Sequence, residues 1–318
     1  MMPHKKRKGY LRIFLLVFIG LLVIISFAIS NCIYRETFQR KETRWPDLGV
    51  ADNWQYEILT EAYKIKNKPN RKITITSADG IKLVGNYYER KKNAAIVIFF
   101  HGLLGNGYTN GVPIYRITEE KGWNLLLVSL RAHGESDGDI STLGVLERYD
   151  CRDWANWAAS EFGEQVPIYL MGISMGGATV LMSSDLELPQ SVCGIIDDAG
   201  FASPLEAIAI NRREKFHHEI LVNLFEQMVN TGARIWGGFD LKDADACNAV
   251  SRTKVPILII HGDNDTRAPL SMAYRIYNSC HSENEIYIVH GAEHTECYRT
   301  DPEKYGKIVS EFIEKHIP

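Results

Sequence analysis

The chain has 318 residues, 45% hydrophobic, 24% charged and 10% aromatic, with 25 Gly and 11 Pro. This is a globular composition that excludes collagen-like and disordered classes, and six cysteines are too few for a disulfide scaffold. The net charge of −3 hides an asymmetry: Lys5, Lys6, Arg7, Lys8 and Arg12 precede any acid, and without them the remainder carries −8, which argues against nucleic acid as the main partner.

After this basic tail (residues 1–12), Ile13 to Tyr34 carries no charge. At ~1.5 Å per residue a helix of that length reaches ~33 Å, enough to cross a ~30 Å hydrocarbon core once. The basic flank places the N-terminus in the cytoplasm and the body outside, by the positive-inside rule. Ala28-Ile29-Ser30 also fits a cleaved signal peptide and a secreted body. The anchor is preferred because the apolar run exceeds the roughly 7–15 residues of a signal core. A lipidated Cys32 is the weaker alternative, since Asn31 is an awkward predecessor. Outside the membrane disulfides become possible, but Cys151, Cys193, Cys247, Cys280 and Cys297 form an odd set without a C-x-x-C pair, and free or buried thiols are expected.

Residues 35–70 are polar and read as a membrane-proximal linker, with a turn at Trp45-Pro46-Asp47 and a short helix from Trp54 to Lys66. Strands are expected at Arg71–Ser77 and Ile81–Glu89, joined at Asp79-Gly80, a strong hairpin signal. Further apolar runs follow at 94–100, 125–130, 167–171, 192–197, 255–260 and 285–289, spaced between helix-like stretches. Continuous β-rich runs alternating with helices predict an α/β fold, with about eight strands in a mostly parallel sheet, helices on both faces and an antiparallel edge. The alternation breaks from about 200 to 252, where Ile220, Leu221, Leu224, Phe225, Met228 and Val229 make one helical face; this reads as a helical cap inserted into a domain spanning 71–318.

The fifth strand runs into Gly172-Ile173-Ser174-Met175-Gly176-Gly177, followed by a helix-like segment. This is G-x-S-x-G in strand–turn–helix context, where glycines permit the tight turn that lifts a serine hydroxyl off the sheet edge. Such a hydroxyl needs a base within reach and an acid to orient it. The seventh strand ends in His261-Gly262-Asp263-Asn264-Asp265, offering two acids, and the eighth in His290-Gly291-Ala292-Glu293-His294, offering two histidines. A glycosylation acceptor at Asn264-Asp265-Thr266 is discounted because a glycan would block this loop. Arg267 is read as facing water, although it could meet an anionic substrate group.

With His101-Gly102, the run Leu130 to Ser136, the Ser174 turn, His-Gly-x-x-Asp-x-x-x-Pro ending at Pro269, and Gly291-x-x-His294, residues 71–318 resemble an α/β-hydrolase. The resemblance is to the esterase and prolyl-oligopeptidase-like serine hydrolases with an N-terminal membrane segment. It implies Ser174 as nucleophile, Asp265 as acid and His294 as base, with the N–H groups of Leu103 and Met175 as oxyanion donors. Asp263 is left to brace its loop, His290, His101 and His133 to hold loop shape, and His217-His218 to face solvent. No metal or organic cofactor is implied. The expected substrate is a small-molecule ester of a small or medium acyl group. A peptidase or acyl-peptide hydrolase with the same three residues, and a non-catalytic surface binding module, are the alternatives.

Overall fold

The computed structural model describes residues 4–41, 52–213 and 218–318; the expected turn at Trp45-Pro46-Asp47 and His217 lie outside them. In chain order the elements begin with α1 (His4–Phe38), α2 (Asn53–Asn67), β1 (Arg71–Thr76), β2 (Lys82–Tyr88), β3 (Ile96–Phe100), α3 (Gly107–Asn110), α4 (Val112–Lys121) and β4 (Asn124–Ser129). They continue with α5 (Glu147–Phe162), β5 (Ile168–Ile173), α6 (Met175–Ser183), β6 (Val192–Asp198), α7 (Pro204–Arg213) and α8 (Glu219–Gly232). A π-turn (Ala233–Gly237) and a 3-10 turn (Leu241–Asp243) lead to α9 (Ala246–Val250), β7 (Ile257–Gly262), α10 (Leu270–Ser279), β8 (Asn284–Val289), α11 (Cys297–Thr300) and α12 (Pro302–Lys315).

The eight strands form one sheet in the order β1-β2-β4-β3-β5-β6-β7-β8. β1 and β2 pair antiparallel, β2 pairs antiparallel with β4, and every later pairing is parallel. The central strands β3 and β5 are buried along their whole length, which is why they read as unbroken apolar runs. The edge strand β1 instead carries Arg71 and Lys72 and is mostly exposed, which discourages edge-to-edge pairing with another chain. One face is covered by α5, α6, α9 and α10, around Trp154, Leu181, Val250 and Ile276. The other is covered by α2, α4 and α12, around Ile65, Tyr115 and Phe312.

Local sequence explains the element ends. Asp52 caps α2 through the Gln55 N–H, while Gln55 returns to the Asp52 N–H in a capping box. Asp301 caps α12, with Pro302 at its first turn, and Gly122 ends α4 in the left-handed region at φ 71°. Between β6 and β7 lie α7, α8, the two short turns and α9, where the sequence pattern broke.

α1 contains the apolar run and is long and apolar enough to cross a bilayer, by length and composition. It continues four residues beyond Tyr34, and its last turns enter the body. Tyr34 and Phe38 are buried, and Phe38 meets the Phe239 ring edge-on at 5.2 Å. Immediately after it, Arg40 donates to the carbonyls of Ser136 and Gly134, and its N–H reaches that of Asp139. Ser30 Oγ donates to the Met228 carbonyl, so α1 and α8 are packed side by side. α2 sinks Leu59, Ala62 and Ile65 into the body, so the described parts of the 35–70 segment lie against the sheet-bearing body.

Candidate active site

Ser174 sits between β5 and α6 at φ 55°, ψ −116°, a left-handed conformation that costs a non-glycine residue free energy. The surrounding chain imposes it. A Cβ at Gly172 would lie 2.1 Å from the Gly176 carbonyl oxygen, and one at Gly176 would lie 2.0 Å from that of Phe100, so only glycine fits either side of the turn. The Ser174 N–H donates to the Asp198 carbonyl at the end of β6, and the Ser174 carbonyl accepts from the Ala178 N–H.

The three side chains singled out by resemblance come together. Ser174 Oγ is 2.8 Å from His294 Nε2, and His294 Nδ1 is 2.7 Å from Asp265 Oδ2. An ionised carboxylate only accepts, so Nδ1 carries the proton and Nε2 is free to accept from the serine hydroxyl. The other oxygen of Asp265 accepts the N–H groups of Arg267 and Ala268, which fix the carboxylate against the loop. Asp265 is buried and His294 nearly so, which strengthens their interaction over that of an exposed pair.

The competing residues are elsewhere engaged. Asp263 accepts from His290 Nδ1 and the Gly291 N–H, both at 2.7 Å, and these bonds hold its carboxyl below the ordinary range on an exposed loop. His290 is exposed, as is His218. His101 and His133 are buried against each other, with ring centroids 5.0 Å apart. Burial and the neighbouring His133 push His101 down to about 3, so it is neutral, and its Nε2 accepts the Leu130 N–H. His133 Nε2 accepts the Leu104 N–H, which clamps the loop after β3. Behind them Arg131 forks onto Asp150 and also meets Asp79.

That loop lies flush against the Ser174 turn: a Cβ on Gly102 would be 3.4 Å from Ser174 Cβ. Leu104 is held at φ 58°, and the Leu103 N–H has no hydrogen-bond partner among the described residues. Met175 opens α6, so its N–H lacks an intrahelical acceptor.

Sequence reasoning missed a supporting layer. Asp198 accepts from the Tyr305 hydroxyl at 2.8 Å while its backbone holds Ser174. Burial raises the Asp198 carboxyl to about 6. Its neighbour Asp197 is also raised, by burial and the adjacent Asp198, and accepts the Gly200 N–H. His261 Nε2 donates to the Ala268 carbonyl at 2.6 Å and lies 3.5 Å from Asp265, while burial keeps it neutral. The available signal was Asp197-Asp198, two consecutive acids closing an otherwise apolar strand.

Ser174 and His294 open into a cleft of 730 Å³. Its walls come from the Leu103–Asn106 loop, from the cap at Ala207, Ile208 and Arg212, from Arg267, and from Glu36, Thr37 and Lys41 at the end of α1. All six cysteines are free, with Cys151, Cys280 and Cys297 buried. Burial pushes the Cys151 thiol up to about 12, so it is inert near neutral pH. No group of three metal-ligating side chains occurs among the described residues.

A family model for the alpha/beta hydrolase fold matches residues 95–244. The chain is 24% identical to the uncharacterized protein YqkD of Bacillus subtilis (strain 168), over 76% of this chain and 78% of that one. It is 22% identical to a lysophosphatidylserine lipase, ABHD12, of Xenopus tropicalis, over 84% and 71% respectively. Among solved structures, the Pyrococcus furiosus esterase Pf2001 superposes with a TM-score of 0.64 at 22% identity, covering 87% of this chain and 99% of that one. Est1E from Butyrivibrio proteoclasticus, solved with ferulic acid, gives 0.58 at 21% identity, covering 77% and 99%.

Proposed function

Because the chain has the α/β-hydrolase fold, we propose that it is a serine hydrolase that cleaves carboxylic esters through an acyl-enzyme on Ser174. The observation that carries this reading is the continuous Ser174–His294–Asp265 hydrogen-bond chain at the floor of an open cleft. Esters are favoured over peptides because similar structures include esterases.

In this reading Ser174 Oγ attacks the ester carbonyl carbon as His294 Nε2 takes its proton, and Asp265 stabilises the imidazolium. The oxyanion accepts the N–H groups of Met175 and Leu103, each worth ~3 kcal/mol of barrier in comparable sites. The intermediate collapses with loss of the alcohol, which takes its proton from His294. Water then attacks the acyl carbon with His294 as base, releasing the carboxylic acid and free Ser174.

α1 serves in this proposal as a single-pass anchor with the body outside the cytoplasm. Two contacts favour the uncleaved form over a signal peptide: the Ser30–Met228 hydrogen bond and the Phe27 ring set edge-on against Trp236 at 4.6 Å. Cleavage after Ser30 would remove Phe27 and uncover α8.

Labelling intact cells and solubilised membranes with a fluorophosphonate probe tests the reading, with Ser174→Ala as the control. Labelling of the wild type alone, together with faster turnover of p-nitrophenyl esters than of aminoacyl anilides, is expected. No labelling in solubilised protein would favour the binding-module alternative, and preference for the anilides a peptidase.

A further inference from the structure

We infer that the cleft takes its substrate from the outer leaflet of the bilayer, as an ester-bearing amphiphile with an anionic headgroup that enters beside α1 and α8. The inference rests on the serine-hydrolase and anchor readings above. Its first support is position: the apolar run ends at Tyr34, and Glu36, Thr37 and Lys41, within the next two turns of chain, already line the cleft that contains Ser174. A bilayer crossed by α1 therefore has its surface at the mouth of that cleft.

The second support is the cap. α8 lies parallel to α1: Met228 is bonded to Ser30, and further along Gly232 abuts Tyr34. Its earlier residues therefore run back along the lipid-facing part of the anchor. There it exposes Ile220 (81%), Leu221 and Leu224, continuous with the exposed apolar surface of α1. Between the two helices is a crevice of 430 Å³ walled by Leu22, Val23, Phe27, Leu224 and Met228, among others, a slot suited to an acyl chain. An apolar helix face that adjoins a membrane-spanning segment buries its surface in lipid at no cost in unsatisfied backbone, because the helix satisfies its own hydrogen bonds.

The third support is charge. Arg212 and Arg267 both line the cleft, and neither guanidinium has a carboxylate partner among the described residues; Arg212 lies over the Phe225 ring. Lys41 is matched by Glu36. The cleft thus holds two guanidinium groups without a carboxylate partner among the described residues, which complements a phosphate or carboxylate headgroup.

The test uses full-length protein in vesicles of ether-linked phosphatidylcholine, which offers no ester of its own, carrying 1-oleoyl lysophosphatidylglycerol or monooleoylglycerol. The wild type is expected to release oleate, with about tenfold preference for the anionic ester, and Arg267→Gln to remove the preference. Ile220→Glu and Leu221→Glu are expected to slow oleate release by about tenfold while p-nitrophenyl acetate hydrolysis stays within about twofold. Should either variant fold poorly, a lysolipid with a diazirine on its acyl chain decides the matter in the wild type, with crosslinks expected on α8. Hydrolysis of p-nitrophenyl acetate without oleate release, unchanged release by both variants, or crosslinks on α1 alone overturns the inference and leaves the serine-hydrolase reading standing. Absence of both activities overturns both, and extraction of the protein by carbonate overturns the anchor reading and this inference with it.

Discussion

The backbone carbonyl of Asp198 accepts the N–H of Ser174 across 2.8 Å, while the Asp198 side chain accepts the hydroxyl of Tyr305. The Ser174 turn between β5 and α6 is thereby tied to the end of β6 and to α12. One residue, Asp198, links α12 to the serine.

Ser174→Ala should lower ester turnover by a factor of about 10⁶ and leave the melting temperature close to that of the wild type, because the hydroxyl makes no buried bond beyond that to His294. Initial rates and a circular-dichroism melt test both halves. A variant retaining full turnover would falsify the assignment of the nucleophile.

His133→Phe keeps a ring against His101 but removes the acceptor of the Leu104 N–H. The loop carrying Leu103 should loosen, lowering kcat by about tenfold with little change in KM, as expected when a donor used mainly in the transition state is misplaced. Equal loss in a ground-state binding assay would point to a general collapse of the cleft.

Asp198 gives a pH dependence with a definite sign. Its folded pKa of about 6 lies above the ordinary carboxylate value near ~3.9, so between those limits the folded state binds the extra proton. Its contribution is fully present below about pH 4 and is lost as pH rises to about 6. Asp198→Asn cannot titrate, so the wild-type melting temperature should fall relative to the variant across this window and then run parallel to it. Calorimetry at successive pH values reads this directly, and a constant difference from pH 4 to 7 would remove Asp198 as the cause.

Arg131→Met leaves Asp150 buried without its fork and should cost about 3–5 kcal/mol, whereas Lys72→Met, which breaks an exposed pair with Glu135, should cost under about 1 kcal/mol. Urea titrations of the two variants compare them on one scale.

Gly176→Ala should be worse than either. Its methyl would meet the Phe100 carbonyl at 2.0 Å, and neither β3 nor α6 can retreat without breaking the central sheet; a loss above about 4 kcal/mol is expected. Recovery of soluble protein on expression is the simplest measure.

The strands were legible because a parallel strand buried on both faces leaves an uninterrupted apolar signature, and β3, β5 and β7 lie within two residues of their sequence-based bounds. Ser174, Asp265 and His294 were legible because each follows a strand at the same sheet edge, within short motifs. The supporting layer was not. Tyr305 and Asp198 are 107 positions apart, and nothing local in either segment encodes their meeting. The docking of Phe38 and Arg40 was hidden for the same reason: polar composition suggested a tether, whereas the determining contacts belong to Phe239 and the Ser136 loop, far along the chain.

Around the cleft, Leu104, Leu143, Ser174 and Thr295 all hold positive φ without being glycine, at 58°, 58°, 55° and 64°. Each conformation persists only while the sheet and its flanking helices enforce it. The rim is therefore the part of the molecule with most to gain from relaxing, and heat should release it before the strands separate. Loss of ester turnover on warming should run ahead of the loss of secondary structure, with initial rates and circular dichroism followed on one temperature ramp.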